Sequence, residues 1–396
     1  MPIVEPEAAQ VCRPLRWPSS SVPRSRSEQH TIPAPVANVA SSSPVASVAV
    51  AMASCAPVCV EAPIIRELST ARSGYARAMR GGIDLGGTKI QAVIVDSDHE
   101  VRGETRVPTP TSGGPSDVAA AMVDAVGQAA QAAGVQTAEL EGVGVGSPGD
   151  VDGEKGTVTS ARNLPDWEGS FPLADALSKE LGTRVALGND VQVATDAEAL
   201  LGAGRPYRSL LGVFWGTGVG GGIVLDGRPW LGRGAAGEIG HIVVKRDGAR
   251  CTCGRKGCME AYAGRGAMEL RARHRQKSGT KTDLFAIMEE RGRDRLTSGI
   301  WARALDRDDK LAVELMDDAI AALGAGVASV QNVLDVDAIV IGGGLGIRLG
   351  EPYANRILDA MMPHLFVDSD PPVVQVAALG DLGGAIGASL LLNGQA

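Results

Sequence analysis

The sequence predicts an α/β protein of two similar lobes facing each other across a cleft, and three observations carry that prediction. First, one pattern occurs twice. Ile83-Asp84-Leu85 enters the glycine loop Gly86-Gly87-Thr88-Lys89, an apolar, β-branched run over residues 90–95 follows, and Asp96-Ser97-Asp98 turns the chain. Leu211-Gly212-Val213-Phe214-Trp215 likewise enters Gly216-Thr217-Gly218-Val219-Gly220-Gly221-Gly222, continues as Ile223-Val224-Leu225 and turns at Asp226-Gly227. A supersecondary unit repeated in one chain predicts two like halves, each offering a glycine hairpin to a shared ligand. Second, strand-like runs and helical patterns succeed one another through both halves. Third, the 396 residues are 44% hydrophobic, include 52 glycines and are only 3% aromatic. That is enough apolar side chain for two cores, with tight loops rather than aromatic platforms to meet ligands.

In chain order, residues 1–78 stand apart. They carry Pro- and Ser-rich runs with no helical or strand period, so they are expected to be disordered, or never translated if Met79 is the initiator. Residues 45–60 are mildly apolar, but they lie far from the start and lack the basic flank of a secretory signal. After the first hairpin comes an alanine-rich helix over about 116–133, with apolar residues three and four apart. Gly142-Val143-Gly144-Val145-Gly146 leads to a Ser147-Pro148-Gly149 turn, Val185-Ala186-Leu187 is a strand ending at Gly188-Asn189-Asp190, and 194–201 reads as helix. The repeated hairpin opens the second half. A long amphipathic helix over about 310–333 precedes the strand Ala338-Ile339-Val340-Ile341 and a third glycine run, Gly342-Gly343-Gly344. A glycine-containing helix over about 383–392 comes last.

The densest chemistry lies between Glu238 and Glu260. His241, Cys251, Cys253 and Cys258 share one loop-sized span with glycines beside the cysteines, a ligand set that suits tetrahedral zinc. Glu238 and Glu260 bracket these ligands and are poor competitors for a site filled by imidazole and thiolates. They are free to hydrogen-bond something else. Each glycine loop follows a strand, so its backbone N–H groups can converge on an anion, with Thr88 or Thr217 adding a hydroxyl. A dinucleotide-binding fingerprint would open a helix; both loops here run into strands, which favours phosphate-clamping hairpins. Asp190 ends a short apolar strand at what would be the rim of a parallel sheet, where it is either a helix N-cap or a catalytic base. The net charge of −8 argues against nucleic acid as the main partner. No stretch is long and apolar enough to span a membrane, and a thiolate cluster fits a reducing, cytoplasmic compartment.

Taken together, Asp84 to Lys89, Asn189-Asp190, Gly216-Thr217-Gly218, Glu238-Ile239-Gly240-His241 and Cys251-Thr252-Cys253-Gly254-Arg255-Lys256-Gly257-Cys258-Met259-Glu260 resemble the ROK family of sugar kinases and repressors, and within it the ATP-dependent bacterial glucokinases. The resemblance runs from about residue 80 to the C-terminus. It implies an actin-like ATPase fold of two ribonuclease H-like lobes: a smaller lobe of residues 79–200, closed by a C-terminal helix within 383–396, and a larger lobe of 201–382 carrying the zinc loop 238–260. It further implies that Asp84, Gly86, Gly87, Thr88 and Lys89 form the first phosphate loop, that Gly216, Thr217 and Gly218 form the second, and that Gly342, Gly343 and Gly344 lie beside the adenosine. Asn163, Asn189, Asp190, Glu238, His241 and Glu260 would ring the sugar, with His241 serving zinc through one ring nitrogen and sugar through the other. Asp190 would take the proton of the 6-hydroxyl, Asp84 would help hold Mg²⁺, and zinc would be structural, with all four positions filled by protein. A homodimer or homotetramer is expected from the same resemblance.

The chain departs from the family after Asn189-Asp190, where Val191-Gln192-Val193 replaces small residues and a further Asn. Glucose is the expected substrate; mannose, fructose and the N-acetylhexosamines differ by one substituent or stereocentre, which the glutamates alone do not rank. Two rivals are a sugar-responsive repressor and a polyphosphate-dependent kinase. Residues 1–78 show no winged helix-turn-helix pattern and the first phosphate loop is intact, which disfavours the repressor; the cysteine loop favours ATP as donor.

Overall fold

The computed structural model describes residues 78–161 and 164–394. The expected disordered or untranslated extension 1–78 lies, but for residue 78, outside the described residues, as does Asn163. Strands β1 (Arg80–Leu85) and β2 (Lys89–Val95) form the first antiparallel hairpin, and β3 (Val101–Pro108) extends it. Helix α1 (Gly114–Ala133) buries Val118, Met122, Ala125, Val126 and Ala129 at helical spacing, and left-handed Gly134 ends it by donating its N–H to the carbonyls of Ala130 and Gln131. Strand β4 (Val143–Ser147) returns parallel to β1. A small sheet of β5 (Asp150–Asp152), β6 (Thr157–Thr159) and β7 (Ser170–Phe171), then α2 (Leu173–Leu181), precede β8 (Val185–Asn189), which is parallel to β4.

Helix α3 (Asp190–Leu201) follows without a break. The helix expected over 194–201 thus starts earlier, because Asn189 Oδ1 accepts the N–H groups of Val191 at 3.0 Å and Gln192 at 3.1 Å and so caps it, an interaction worth about 1 kcal/mol. The second sheet opens with β9 (Leu210–Trp215), β10 (Val219–Leu225) and β11 (Arg228–Pro229). After the cysteine loop come α4 (Glu260–Ala263), α5 (Arg265–Lys277), α6 (Leu284–Glu290), α7 (Ser298–Asp306) and the long α8 (Lys310–Leu334). Strand β12 (Ala338–Gly342), α9 (Gly343–Leu349), α10 (Glu351–Met361), β13 (Val373–Val376) and α11 (Gly383–Leu390) complete the order.

The first sheet runs β3-β2-β1-β4-β8 and the second β11-β10-β9-β12-β13. Their directions match as well: in each, the hairpin is antiparallel and the two strands beyond it are parallel. The repeat seen in the sequence is therefore a duplicated ribonuclease H-like sheet, the actin-like ATPase fold. Each sheet has its own core, with Ile83, Leu85, Met122 and Leu177 in the first and Trp215, Trp301, Leu315 and Met316 in the second. Helix α11 lies directly on the first sheet. Cβ atoms at Gly82 and Gly144 would fall 2.0 and 1.8 Å from the carbonyl oxygens of Ala385 and Ala388, so only glycine lets that helix approach so closely. Among the described residues no helix is long and apolar enough to cross a membrane.

Candidate active site

A cleft of about 1890 Å³ is lined from both sheets, by Asp84, residues 86–89, Asn189 and Asp190 from the first and by residues 216–218, Glu238, His241, Glu260, Gly343 and Gly344 from the second. The parallel register explains why Asp84 and Asp190 meet there: Asp84 lies opposite Gly146, and Gly146 opposite Gly188. Both carboxyls thus emerge at the same carboxyl edge of the sheet, two strands apart, where open α/β sheets bind ligands. Burial, then the charge of Asp84 and then that of Glu238 push the Asp190 carboxyl up to about 7. Burial likewise raises Asp84, with Lys89 opposing and Asp381 adding to the shift. A like-charged carboxyl cluster beside two glycine loops is a donor set that suits a divalent cation held with phosphate oxygens. Asp84, on the strand that enters the first glycine loop, could supply a carboxylate to such a cation.

The first glycine loop is closed by Gly86 N–H donating to the Lys89 carbonyl at 2.9 Å and by the Thr109 hydroxyl donating to the Gly86 carbonyl at 2.6 Å. Gly87 and Thr88 are left exposed. Lys89 lines the cleft, but its ammonium donates to Gln91 at 2.8 Å. The second loop is pinned from behind by α5. The N–H groups of Arg265 and Gly266 donate to the carbonyls of Gly216 and Thr217 at 3.1 and 2.9 Å, and the Arg265 guanidinium donates to Thr217 Oγ1 at 2.8 Å. The Gly216 N–H is itself donated to the Gly218 carbonyl at 3.0 Å, so the donors this loop can offer an anion are the Thr217 and Gly218 N–H groups and the Thr217 hydroxyl. Beside it, Gly343 adopts φ +79°, and a Cβ there would sit 2.6 Å from the Trp215 carbonyl oxygen. Of the third glycine run, Gly343 and Gly344 line the cleft, whereas Gly342 is buried as the last residue of β12, where a Cβ would strike the Phe214 ring.

The ligand atoms of His241, Cys251, Cys253 and Cys258 all lie within 4.8 Å of one another. Four donors around zinc at ordinary bond lengths define tetrahedron edges of roughly 3.6–3.8 Å. Cys253 Sγ to Cys258 Sγ measures 3.7 Å and Cys251 Sγ to His241 Nδ1 measures 3.8 Å, so the residues fit a zinc ion with no position left open. Gly254 and Gly257, at φ +88° and +81°, make the turns that bring the thiols together. With Nδ1 turned to the thiols, His241 keeps Nε2 for the other side, 3.8 Å from the Glu238 carboxylate. Glu260 ties this loop to the second glycine loop: Oε2 accepts the Val219 N–H and Oε1 the Thr252 hydroxyl, each at 3.0 Å. Asn189 Oδ1 is committed to the helix cap, which leaves its amide NH₂ for a ligand.

A family model described as ROK family matches residues 80–395, and this chain belongs to the ROK family. A glucokinase from Thermotoga maritima is 30% identical over 308 residues, covering 76% of this chain and 94% of that protein. An N-acetylgalactosamine kinase from a Shewanella species is 34% identical over 323 residues, covering 79% and 96%. Among solved structures, a ROK family glucokinase from Streptomyces griseus in complex with glucose and AMPPNP is 32% identical with a TM-score of 0.69, covering 79% of this chain and 99% of that one.

Proposed function

We propose that this protein is an ATP-dependent hexose kinase that phosphorylates glucose at its 6-hydroxyl. The observation that carries the reading is Asp190: a carboxyl raised to about 7, at the head of α3, in a cleft that has glycine loops on both sides and Glu238, His241 and Glu260 at its wall. Phosphoryl transfer needs an acceptor hydroxyl held in line, relieved of its proton as the bond forms, and a place for the charge of the transferring group. Asp190 accepts that proton. The loops 86–88 and 216–218 and the Thr217 hydroxyl receive phosphate oxygens. Glu238, His241 Nε2, Glu260, the Asn189 amide and Asn163 orient the sugar, and the two sheets exclude water from the reacting oxygen. When bound, Mg²⁺ supplies electrostatic neutralisation of the phosphate oxygens, beside Asp84. Zinc, when bound, fixes the loop that carries the sugar-binding side chains.

A second reading, phosphorylation of an N-acetylhexosamine, has support from kinases of that class among the relatives, and it keeps every catalytic group in place. In either case the protein would act in the cytoplasm as a homo-oligomer. The test is ADP release from ATP and Mg²⁺ against a panel of hexoses and N-acetylhexosamines, with polyphosphate as alternative donor scored by sugar 6-phosphate. Turnover on glucose above all others is the expected result; preference for an N-acetylhexosamine would replace the substrate, and silence throughout with zinc bound would remove the kinase reading in favour of a sugar sensor.

A further inference from the structure

The chain passes between the two sheets twice: from α3 through residues 202–209 into β9, and from β13 through residues 377–382 into α11, which packs on β1 and β4. One side chain touches both passages. Glu198, on the last turn but one of α3 and 2% exposed, accepts the Ala203 N–H at 2.9 Å and the Ala378 N–H at 3.0 Å on Oε2, and the Leu379 N–H at 2.9 Å on Oε1. All three donors are main-chain amides. The site is built around the carboxylate, since a Cβ on Gly202 would fall 2.0 Å from Oε2. The helix that ends in this clasp begins at Asp190 and is wedged between the sheets along its length. Cβ atoms at Gly146 and Gly188 of the first sheet and at Gly220 and Gly222 of the second would strike its Val193, Val191 and Thr195 side chains, and one at Gly387 of α11 would lie 2.0 Å from the Val193 carbonyl. A helix packed so closely moves as a rigid rod.

We propose that Glu198 is a positioning residue: it clasps the two crossings into one hinge and, through α3, fixes the orientation of Asp190 to the angle between the sheets. Closure of the cleft and alignment of the base would then be one motion, so that the base is in line only when the sheets have come together over the sugar. The role of Asp190 in this inference rests on the kinase reading above; the mechanical link does not.

The test is Glu198→Gln, which keeps the volume but turns an NH₂ group toward at least one main-chain donor, with Glu198→Asp as the variant that keeps the charge and draws it back. Glu198→Gln is expected to lower kcat on the order of tenfold to a hundredfold, as misplacement of a reacting group does, with KM for sugar and ATP changed by less than about threefold, and to raise ADP formed per sugar phosphate above one. Glu198→Asp should show the same split at smaller amplitude, and it carries the test should the Gln variant fail to fold. A folded Glu198→Gln protein with wild-type kcat and one ADP per sugar phosphate would overturn the proposal. Hydrogen exchange reads the link without turnover: in the variant, amides at 202–204 and 377–382 and also those at 191–193, at the far end of α3, should exchange faster. Faster exchange at the crossings with 191–193 unchanged would refute the coupling even if the wild-type protein phosphorylated no sugar.

Discussion

The Asp190 carboxyl makes the sharpest demand on experiment. Its pKa of about 7, raised by burial and then by Asp84 and Glu238, lies inside the range in which kinetics are readily measured. A general base works in its deprotonated form, so activity is present above the pKa and is lost as pH falls through it. With a pKa of about 7 the carboxyl is roughly one-tenth ionised at pH 6 and nine-tenths at pH 8. The expectation is therefore an approximately tenfold rise in kcat/KM for the sugar between those pH values, with a single ionisation and a plateau above. Asp190→Asn removes the ionisable group while keeping its shape; it should lower kcat by about 10²–10⁴-fold, leave zinc content and sugar affinity by calorimetry near wild type, and flatten the residual profile. Glu238→Gln removes the weaker of the two carboxylate charges acting on Asp190 and should move the acid limb to lower pH. A coupled assay of ADP release in constant-ionic-strength buffers, with the coupling enzymes in excess at each pH, measures all three. A wild-type profile flat from pH 6 to 8, or an Asp190→Asn enzyme with near-normal turnover, would refute the assignment of the base.

Three further outcomes follow from the geometry. Cys253→Ser should abolish stoichiometric zinc, measured by elemental analysis, and because Glu260 and His241 lose their anchor the sugar KM should rise on the order of tenfold or more; unchanged metal content would break the ligand assignment. Gly343→Ala forces a side chain into a left-handed backbone and against the Trp215 carbonyl, costing about 1–2 kcal/mol from conformation alone and weakening ATP binding while sparing sugar binding, which titration of each ligand separately resolves. Asp196, raised to about 7 by burial despite its bond from Gln192, contributes stability that is present below its ordinary value of 3.8 and lost as pH rises toward 7. Asp196→Asn should therefore stabilise the protein in urea at pH 8.5, by at most about 4 kcal/mol at 1.36 kcal/mol per unit, and make no difference at pH 3.5; equal effects at both pH values would dismiss the buried-charge explanation.

The parts of this architecture legible in the sequence are those written in contiguous residues. Both glycine hairpins, the His and Cys ligand set and the strand that delivers Asp190 are local patterns whose physics, backbone permissiveness and donor chemistry, does not depend on what packs against them. What was not legible depends on partners far away in the chain. Arg265 acts on Thr217 across 48 positions, and nothing in Gly264-Arg265-Gly266 says which loop it will hold. Glu198 meets Ala378 and Leu379 across 180 and 181 positions and reads locally as an ordinary helical glutamate. Gln192 exchanges hydrogen bonds with both the N–H and the carbonyl of Ile223; its amide behaves as one more residue of the second sheet, a role no propensity scale encodes. The third glycine run shows the same limit at finer grain, since register alone separates buried Gly342 from Gly343 and Gly344 in the cleft.

The seating of α11 on the first sheet has a consequence for how the protein is made. The strands it covers, β1, β2 and β4, leave the ribosome early, while the helix that covers their Val93 and Val95 side chains with Ala385 and Ile386 emerges nearly 200 residues after β8 has been synthesised. At translation speeds of 5–20 residues per second that interval is roughly 10–40 s. Throughout it the N-terminal sheet has an apolar face open to solvent, and its glycine-floored groove accepts backbone at close range. Folding of the first lobe is thus completed from the far end of the message, and a nascent chain stalled in the second lobe would hold a finished sheet edge and an unfinished core, the substrate that chaperones are selected to shield.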